Sequence, residues 1–198
     1  MLFWSRSRAL SLFAKRNRVD GAPKAINGNL NIRFAEGGNS VLFEDDILVS
    51  NLDIEMTGTG NVLSVGRGSI LGGKIALSDA ATIIIGVETT LAGTCMLSAA
   101  EGRRILIGNN CHLFSATVRT SDVRPVFDSS RNRRLNEPED VRLGNHVLVS
   151  HEAYIARGVE IADGAVIGSR AVVTLSVREN CAVAGNPAVV VRDNVQWK

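Results

Sequence analysis

A six-residue repeat of aliphatic side chains is the feature that most constrains what this 198-residue chain can fold into. From residue 143 onward, an aliphatic residue recurs at every sixth position, and a small or β-branched residue follows four positions after most of them. The repeated positions are Leu143, Val149, Ile155, Ile161, Ile167 and Val173, and the residues four positions later are Val147, Ala153, Val159, Ala165 and Ala171. A period of six matches neither the 3.6-residue period of a helix nor the two-residue period of a strand.

This period predicts a triangular coil in which each side is a short strand followed by a corner. The first residue of each hexad points into the core, and the fifth must be small because it points inward near the corner. Three hexads make one coil of about 18 residues, and stacked coils bury a continuous aliphatic column. A β-sandwich would require alternating side chains over five or six residues, which these hexads lack. The predicted fold is therefore all-β, a parallel β-helix.

The repeat continues upstream in shifted phases as far as Val65. Cys95, Cys111 and Thr117 fall at the small fifth position, so both thiols are predicted to be buried and chemically inert. With Cys181, the chain has three cysteines, and their spacing is not that of a zinc site. This usage predicts reduced thiols in a reducing compartment, hence a cytoplasmic protein.

A 24-residue interruption at 119–142 breaks the hexads and holds two prolines and the basic run 131–134. A long excursion from a regular scaffold is typical of a binding loop, and a disordered surface loop is the alternative. The predicted organisation is a basic and apolar N-terminal segment over 1–26, a β-helix domain over 27–190 with its loop at 119–142, and a tail over 191–198.

The N-terminal segment is apolar over residues 2–13 but is interrupted by Arg6 and Arg8. It is too short to cross a bilayer, so a short helical or irregular cap is predicted. The alternative is an amphipathic segment that rests on an anionic membrane surface, which would place the protein at the inner face of the membrane. The net charge of +2 does not indicate a nucleic-acid partner.

Several motifs resemble those of the hexapeptide-repeat acyltransferase superfamily, particularly its sugar and capsular polysaccharide O-acetyltransferases. The resemblance covers roughly residues 60 to 198 and includes IGNNC at 107–111, RTSD at 119–122, PVFD at 125–128, LGNHV at 143–147, GVEIADGAVIG at 158–168 and VAGNPA at 183–188. It implies a left-handed β-helix, a homotrimer, acetyl-CoA as co-substrate and a saccharide hydroxyl as acceptor, in surface polysaccharide biosynthesis. It implies no metal.

The resemblance breaks at the position of the family's catalytic base. In the family, a loop histidine two positions after a Ser-Asp pair takes the proton from the acceptor hydroxyl. Here that position, two after Asp122, holds Arg124, and a guanidinium stays protonated and cannot act as a base. In addition, Leu148 replaces the family's tryptophan and Ser150 replaces its glycine.

Three explanations of these losses remain open. The chain could be a non-catalytic sugar-binding or assembly protein, it could transfer acetyl groups by positioning the reactants alone, or another histidine could replace the base. His151 is the candidate substitute, and its side chain and that of His112 are predicted to project outward from their hexads. His146 matches a residue that the family often has at this position without a catalytic role. These three histidines also resemble the metal ligands of gamma-class carbonic anhydrases, a metal hydratase alternative, but their hexad registers do not converge.

For the co-substrate, the resemblance implies contacts in the last coils and in the segment after them. Backbone groups at glycine-rich corners can bond the pantetheine amides, and arginine suits the phosphates. The implied contacts are Gly168, Ser169, Arg170, Gly185, Asn186, Pro187 and Arg192. The acceptor is not specified, although four arginines of the loop favour an anionic saccharide. They are Arg124, Arg131, Arg133 and Arg134.

Overall fold

The computed structural model describes residues 2–3, 16–122 and 124–198, and every regular element in that part of the chain is a strand. In chain order the strands are β1 (Leu2–Phe3), β2 (Arg18–Asp20), β3 (Ala25–Phe34), β4 (Ser40–Phe43), β5 (Leu48–Thr57), β6 (Val62–Val65), β7 (Ile70–Ser78), β8 (Thr82–Ile85), β9 (Thr90–Ala92), β10 (Met96–Ala99), β11 (Arg104–Ile107), β12 (His112–Phe114), β13 (Thr117–Arg119), β14 (Phe127–Asp128), β15 (Arg133–Arg134), β16 (Val141–Leu143), β17 (Leu148–Val149), β18 (Tyr154–Ile155), β19 (Glu160–Ile161), β20 (Val166–Ile167), β21 (Val172–Val173), β22 (Ala182–Gly185) and β23 (Ala188–Arg192).

Apart from β1, β14, β15 and β23, these strands stack in parallel into a solenoid with three faces and about seven turns. Face I contains β2, β4, β6, β8, β11, β16 and β19. Face II contains the first halves of β3, β5 and β7, followed by β9, β12, β17, β20 and β22, and face III contains the second halves of the same long strands, followed by β10, β13, β18 and β21. The predicted parallel β-helix is confirmed.

The aliphatic column of the core follows the predicted hexads. The repeated aliphatic residues from Leu143 to Val173 are at most 4% exposed, and the five small residues between them are at most 1% exposed. Thr117 is an exception, because Ala116 takes the inward corner position and Thr117 faces outward on β13. Ser115, whose φ is 48°, makes the preceding turn, so the corner closes one residue earlier than the hexads predicted.

The N-terminal coils are longer than the predicted 18 residues. Contacts between equivalent corner positions span 22 or 20 residues in the first coils and 18 in the later ones. The extra residues lie between face III and face I, where Ile54 and Val65 are 11 positions apart, against 6 for the equivalent Ile155 and Ile161 of a later coil. The register also shifts at the bend from face II to face III in β3 and β5. The parallel ladder begins at β2, inside the segment that the sequence analysis kept apart from the β-helix.

Polar side chains also fill two corners of these N-terminal coils. Asn61 is fully buried, and its amide donates to the side-chain oxygen of Asn39 at 2.9 Å and to the Thr57 carbonyl at 2.8 Å. At another corner, the buried hydroxyl of Thr89 donates to the Gly108 carbonyl at 2.9 Å. The buried polar groups at these two corners therefore have partners, which removes most of the cost of burying them.

The two ends of the solenoid differ. At the N-terminus, β1 pairs antiparallel with β3, and most of the predicted helical or membrane-resting segment, residues 4–15, lies outside the described residues. At the C-terminus, β22 and β23 form an antiparallel hairpin. In the described residues, no helix is long and apolar enough to span a membrane.

Candidate functional site

The loop that interrupts the hexads leaves the solenoid between face III and face I. It follows Thr120 at the end of β13 and rejoins the solenoid at β16, and its tip is the hairpin of β14 and β15. Asn136 organises its first part: the side-chain oxygen accepts from the Val126 amide at 2.6 Å, and the amide donates to the Arg124 carbonyl and to Asp122 Oδ2, both at 2.8 Å. Asn136 is 6% exposed, so it is a structural centre of the loop.

Ion pairs fasten the same loop to the solenoid. Arg134 donates two hydrogen bonds to Glu101, at 2.6 and 3.0 Å, and its guanidinium lowers the pKa of that carboxyl below the ordinary value. Arg157 on the solenoid lies 2.7 Å from Glu139 and 3.6 Å from Asp122. The loop is thus held against the corner at which it leaves the solenoid.

Arg124, which takes the position of the family's base, is exposed on this loop next to Asp122. Its backbone carbonyl is fixed by Asn136, as described above, and within the described part of the chain its guanidinium has no carboxylate within 4 Å. Arg131 and Arg133 are also exposed, whereas Arg134 is committed to Glu101. Three of the four loop arginines are therefore available to an anionic ligand.

The residues that the sequence assigned to CoA lie mainly along one solenoid edge, between faces II and III. Gly168 follows β20 and Gly185 ends β22, and the Gly168 amide donates to the Val183 carbonyl at 2.8 Å. A Cβ at Gly168 would lie 3.0 Å from the Cβ of Ala184, so close packing explains this glycine. Gly185 has a φ of 101°, a conformation that glycine adopts most readily.

The structure separates the two arginines assigned to CoA. Arg170 lies on the II–III edge, but its Nε donates to Glu152 at 2.7 Å, so it already has an anionic partner. Arg192 pairs with Ala182 at the start of β22, at the other side of face II from Gly185. These positions are three residue steps apart along the strand, a distance of about 10 Å. Residues 168–170 and 185–187 thus lie together, and Arg192 does not join them.

His151 lies on the same II–III edge, one coil before Arg170. The Arg170 amide donates to the His151 carbonyl at 2.8 Å, and the His151 side chain is exposed. Asp122 contacts Arg157 at the opposite side of face III, and the width of a face of three or four residues is about 10 Å. Within one chain, the structure therefore places His151 beside the CoA residues and apart from Arg124 and Asp122.

A groove of about 640 Å³ continues the II–III edge toward the N-terminal coils. Its floor is the backbone around Gly72, Gly73 and Gly93, and its rim carries Asn51 and Asp53. The Ser115 hydroxyl, in the coil between this groove and His151, accepts from the Thr94 amide at 3.3 Å. The edge therefore provides a continuous surface along most of the solenoid.

All three histidines and two aromatic residues form one row across face II, which we call the ring row. Consecutive ring centroids lie 4.0 to 6.2 Å apart. The order is His146, Trp197, His112, Phe114 and His151. The histidines were predicted as separate side chains and Trp197 was not predicted, because the hexads give no signal for a tail that folds back over two coils.

Trp197 joins the row through a reciprocal pair of hydrogen bonds with His146. Its Nε1 donates to the His146 carbonyl at 2.8 Å, and the rings are stacked at 4.0 Å with an angle of 6°. His146 Nε2 lies 3.1 Å from the Trp197 carbonyl, which can only accept, so this nitrogen carries the hydrogen. Burial, followed by the charge of His146, lowers the pKa of His112 below its ordinary value. His112 is therefore neutral at neutral pH.

The buried cysteines are placed as predicted. Cys95 and Cys111 are 1% and 0% exposed, and burial raises the pKa of both thiols, that of Cys111 to about 11. Their thiols donate to backbone carbonyls at the solenoid corners. Cys181 is buried as well and donates to Asp193 at 2.9 Å. A nucleophilic role is thus excluded for Cys95 and Cys111, since thiols of raised pKa are poor nucleophiles at neutral pH.

The three histidines stack with aromatic rings instead of converging on a point. Among the residues that the structure describes, no group of three or more His, Cys, Asp and Glu side chains could hold a metal ion.

The chain is similar in sequence to known acetyltransferases. The chain is 30% identical over 132 residues to a polysialic acid O-acetyltransferase of Escherichia coli O1:K1, across 66% of this chain and 43% of that protein. It is 45% identical over 110 residues to a chloramphenicol acetyltransferase of Escherichia coli, across 54% of this chain and 52% of that protein. No protein-family model matches the chain.

The crystal structure of the polySia-specific acetyltransferase NeuO superposes with a TM-score of 0.82 and 26% identity, across 92% of this chain and 82% of that one. This match identifies the solenoid as a left-handed parallel β-helix. The sequence alignments, by contrast, span only about half of the two curated relatives.

Proposed function

Because this chain belongs to the hexapeptide-repeat acyltransferases of the left-handed β-helix type, we propose that it transfers an acetyl group from acetyl-CoA to a hydroxyl of an acidic polysaccharide. The relative from Escherichia coli O1:K1 is a polysialic acid O-acetyltransferase, which makes polysialic acid the first acceptor to test. The exposed arginines of the loop suit such a polyanion, because they attract it over distances of several ångströms.

The observation that carries this proposal is the alignment of candidate residues along the II–III edge. Residues 168–170 and 185–187 offer backbone groups and glycine corners to the pantetheine arm and lie together in the last coils. His151 lies on the same edge, one coil away, and we propose that the thioester at the end of the pantetheine arm lies beside it. The residues proposed to bind the co-substrate and a histidine are thus adjacent without any help from the loop.

In the proposed reaction, the imidazole of His151 takes the proton from the acceptor hydroxyl. The acceptor oxygen forms a bond to the thioester carbonyl carbon, and the bond from that carbon to sulfur breaks. The protonated imidazole then gives its proton to the CoA thiolate, so that the products are the acetyl ester and free CoA. A positioned general base contributes about 10²–10⁴ to such a rate, and histidine titrates nearest to neutral pH.

Arg124 supplies charge instead of proton transfer in this proposal. Its loop lies at the III–I edge of its own chain, so it can meet a II–III edge only on another subunit. A trimer in which each loop covers the neighbouring II–III edge, as the family resemblance implies, brings Arg124 to the site. There its guanidinium binds an anionic group of the acceptor.

A second candidate function is binding of a polysaccharide without catalysis. The observation that favours it is the replacement of the family's base by Arg124 and of its tryptophan by Leu148. The II–III edge would then hold a ligand that is not consumed.

The experiment is acetyl transfer by the purified chain, with acetyl-CoA as donor and polysialic acid, a neutral polysaccharide and chloramphenicol as acceptors. Free CoA thiol and the mass of the acetylated product are measured together. We expect CoA release that depends on polysialic acid and a product heavier by one acetyl group. Binding of CoA in calorimetry without transfer to any acceptor would favour the non-catalytic function, and the absence of CoA binding would refute the proposed enzyme.

A further inference from the structure

The ring row lies on the outer surface of face II. A solenoid coil does not need aromatic side chains on that surface. In the neighbouring coils, the residues that pair with His112 are Thr90 and Leu148. Four of the five rings are half-buried and that of His151 is exposed, so the row is a surface feature and not part of the core. Stability of the solenoid therefore does not explain it.

Two rings of the row can bond a ligand. Within the described part of the chain, the ring nitrogens of His112 and His151 have no hydrogen-bond partner, whereas His146 Nε2 is committed to the Trp197 carbonyl. The neutral imidazole of His112 offers one donor and one acceptor, the pair that a hydroxyl group matches. The row thus combines flat apolar surfaces with hydrogen-bonding nitrogens, as carbohydrate sites require.

We propose that the ring row is the subsite for the acceptor saccharide, with its sugar rings packed on the parts of Trp197 and Phe114 that their stacking partners leave exposed and a sugar hydroxyl bonded to His112. This inference rests on the proposed acetyl transfer and adds the place of the acceptor to it. The row reaches the II–III edge through the stack of Phe114 on His151, with centroids 5.3 Å apart and an angle of 17°. A saccharide on the row therefore ends at the proposed base.

The C-terminal tail makes this subsite rigid before the ligand binds. The two hydrogen bonds between Trp197 and His146 fix the indole, and the Val195 amide donates to the Asn180 carbonyl at 2.9 Å along the same tail. A side chain that is already ordered loses little entropy on binding, which favours affinity. The Trp197 indole also lies on face II, the face of Leu148. Leu148 occupies the position at which the family has a tryptophan.

The test is the steady-state kinetics of Trp197→Ala and Phe114→Ala with acetyl-CoA and polysialic acid. We expect each variant to raise the KM for polysialic acid about tenfold, the loss typical of one stacked ring, while the KM for acetyl-CoA changes less than twofold. Trp197→Phe keeps a ring and is expected to recover part of the affinity. Leu175→Ala, at a side chain that is 75% exposed away from the row, is the matched control and leaves both constants unchanged.

A binding measurement separates this inference from the proposed reaction. Trp197 fluorescence is followed in the Trp4→Phe background, where it is the remaining tryptophan, as polysialic acid is added. Quenching that Phe114→Ala weakens supports the subsite even if no acetyl transfer occurs, in which case only the proposed reaction fails. Acetyl transfer with an unchanged KM for polysialic acid in both ring variants overturns the inference. A change of oligomeric state in those variants, seen by light scattering, assigns the row to a subunit contact and overturns it as well.

Discussion

Replacement of Asn136 by alanine tests whether one amide holds the loop in its observed shape. The variant removes the acceptor of the Val126 amide and the donor to the Arg124 carbonyl and the Asp122 carboxylate. Since Asn136 is 6% exposed, water replaces these partners poorly. A net hydrogen bond contributes about 1 kcal/mol, and a buried group left unpaired costs about 1–3 kcal/mol. The loop should therefore lose about 2–4 kcal/mol of local stability.

Amide hydrogen exchange measures this loss at the loop itself. A change of about 1.4 kcal/mol is a factor of ten, so the Val126 amide should exchange about 30- to 1000-fold faster in Asn136→Ala. Amides of β12 and β17 in the solenoid should keep their rates. Leu135→Ala, a neighbouring change at a side chain that is 52% exposed, is the control and should leave the Val126 rate unchanged. Unaltered exchange of Val126 in Asn136→Ala would refute the role given to Asn136.

Four other predictions address the site and the core. Because His151 is the proposed base and Arg124 only attracts the acceptor, Arg124→His should raise the KM for polysialic acid and leave the rate at saturating acceptor unchanged, and a tenfold gain in that rate would show that the wild-type site lacks a base. Burial raises the pKa of Cys111 from 9.0 to about 11, so the unfolded chain loses this proton at a lower pH than the folded chain. The free energy of unfolding should therefore fall by about 2–3 kcal/mol as the pH rises from 9 to 11. Urea unfolding measures this fall, which Cys111→Ala should lack. Ala165→Leu overfills a corner that has no exposed surface and should destabilise the chain by about 1–3 kcal/mol, seen as a lower Tm. Glu101→Gln breaks the pair with Arg134 and should make the loop more sensitive to protease, as should acidification of the wild type through the lowered pKa of Glu101.

The C-terminal half of the fold was predictable because its side chains repeat strictly. Its inward positions recur every 18 residues from Leu143 to Val173, and Ala153 and Ala165 occupy the corners that the hexads assigned. The last coil is two residues shorter, since Ile161 pairs with Val177. The N-terminal coils were not predictable in this way. Their coils add residues between face III and face I, and buried asparagines such as Asn61 replace small apolar residues at a corner.

The site was predictable only where its residues lie within the repeat. His151 and Gly168 fall at defined hexad positions, so the adjacency of their corners follows from the coil geometry. The contacts of Asn136 and Trp197 do not follow, because each depends on a segment that leaves the solenoid and returns to it. Arg192 was assigned to the CoA site from its position after the last coil, but the antiparallel turn of β23 carries it to the far side of face II.

The identity of the base is the point on which the enzymatic account depends, and a single-turnover measurement decides it. Acetyl transfer to polysialic acid from saturating acetyl-CoA is timed for the wild type, His151→Asn and Arg124→Ala at neutral pH. The account predicts that His151→Asn slows the transfer by about 10²–10⁴ at unchanged CoA affinity, whereas Arg124→Ala retains the wild-type rate at saturating acceptor. Wild-type transfer by His151→Asn would contradict it.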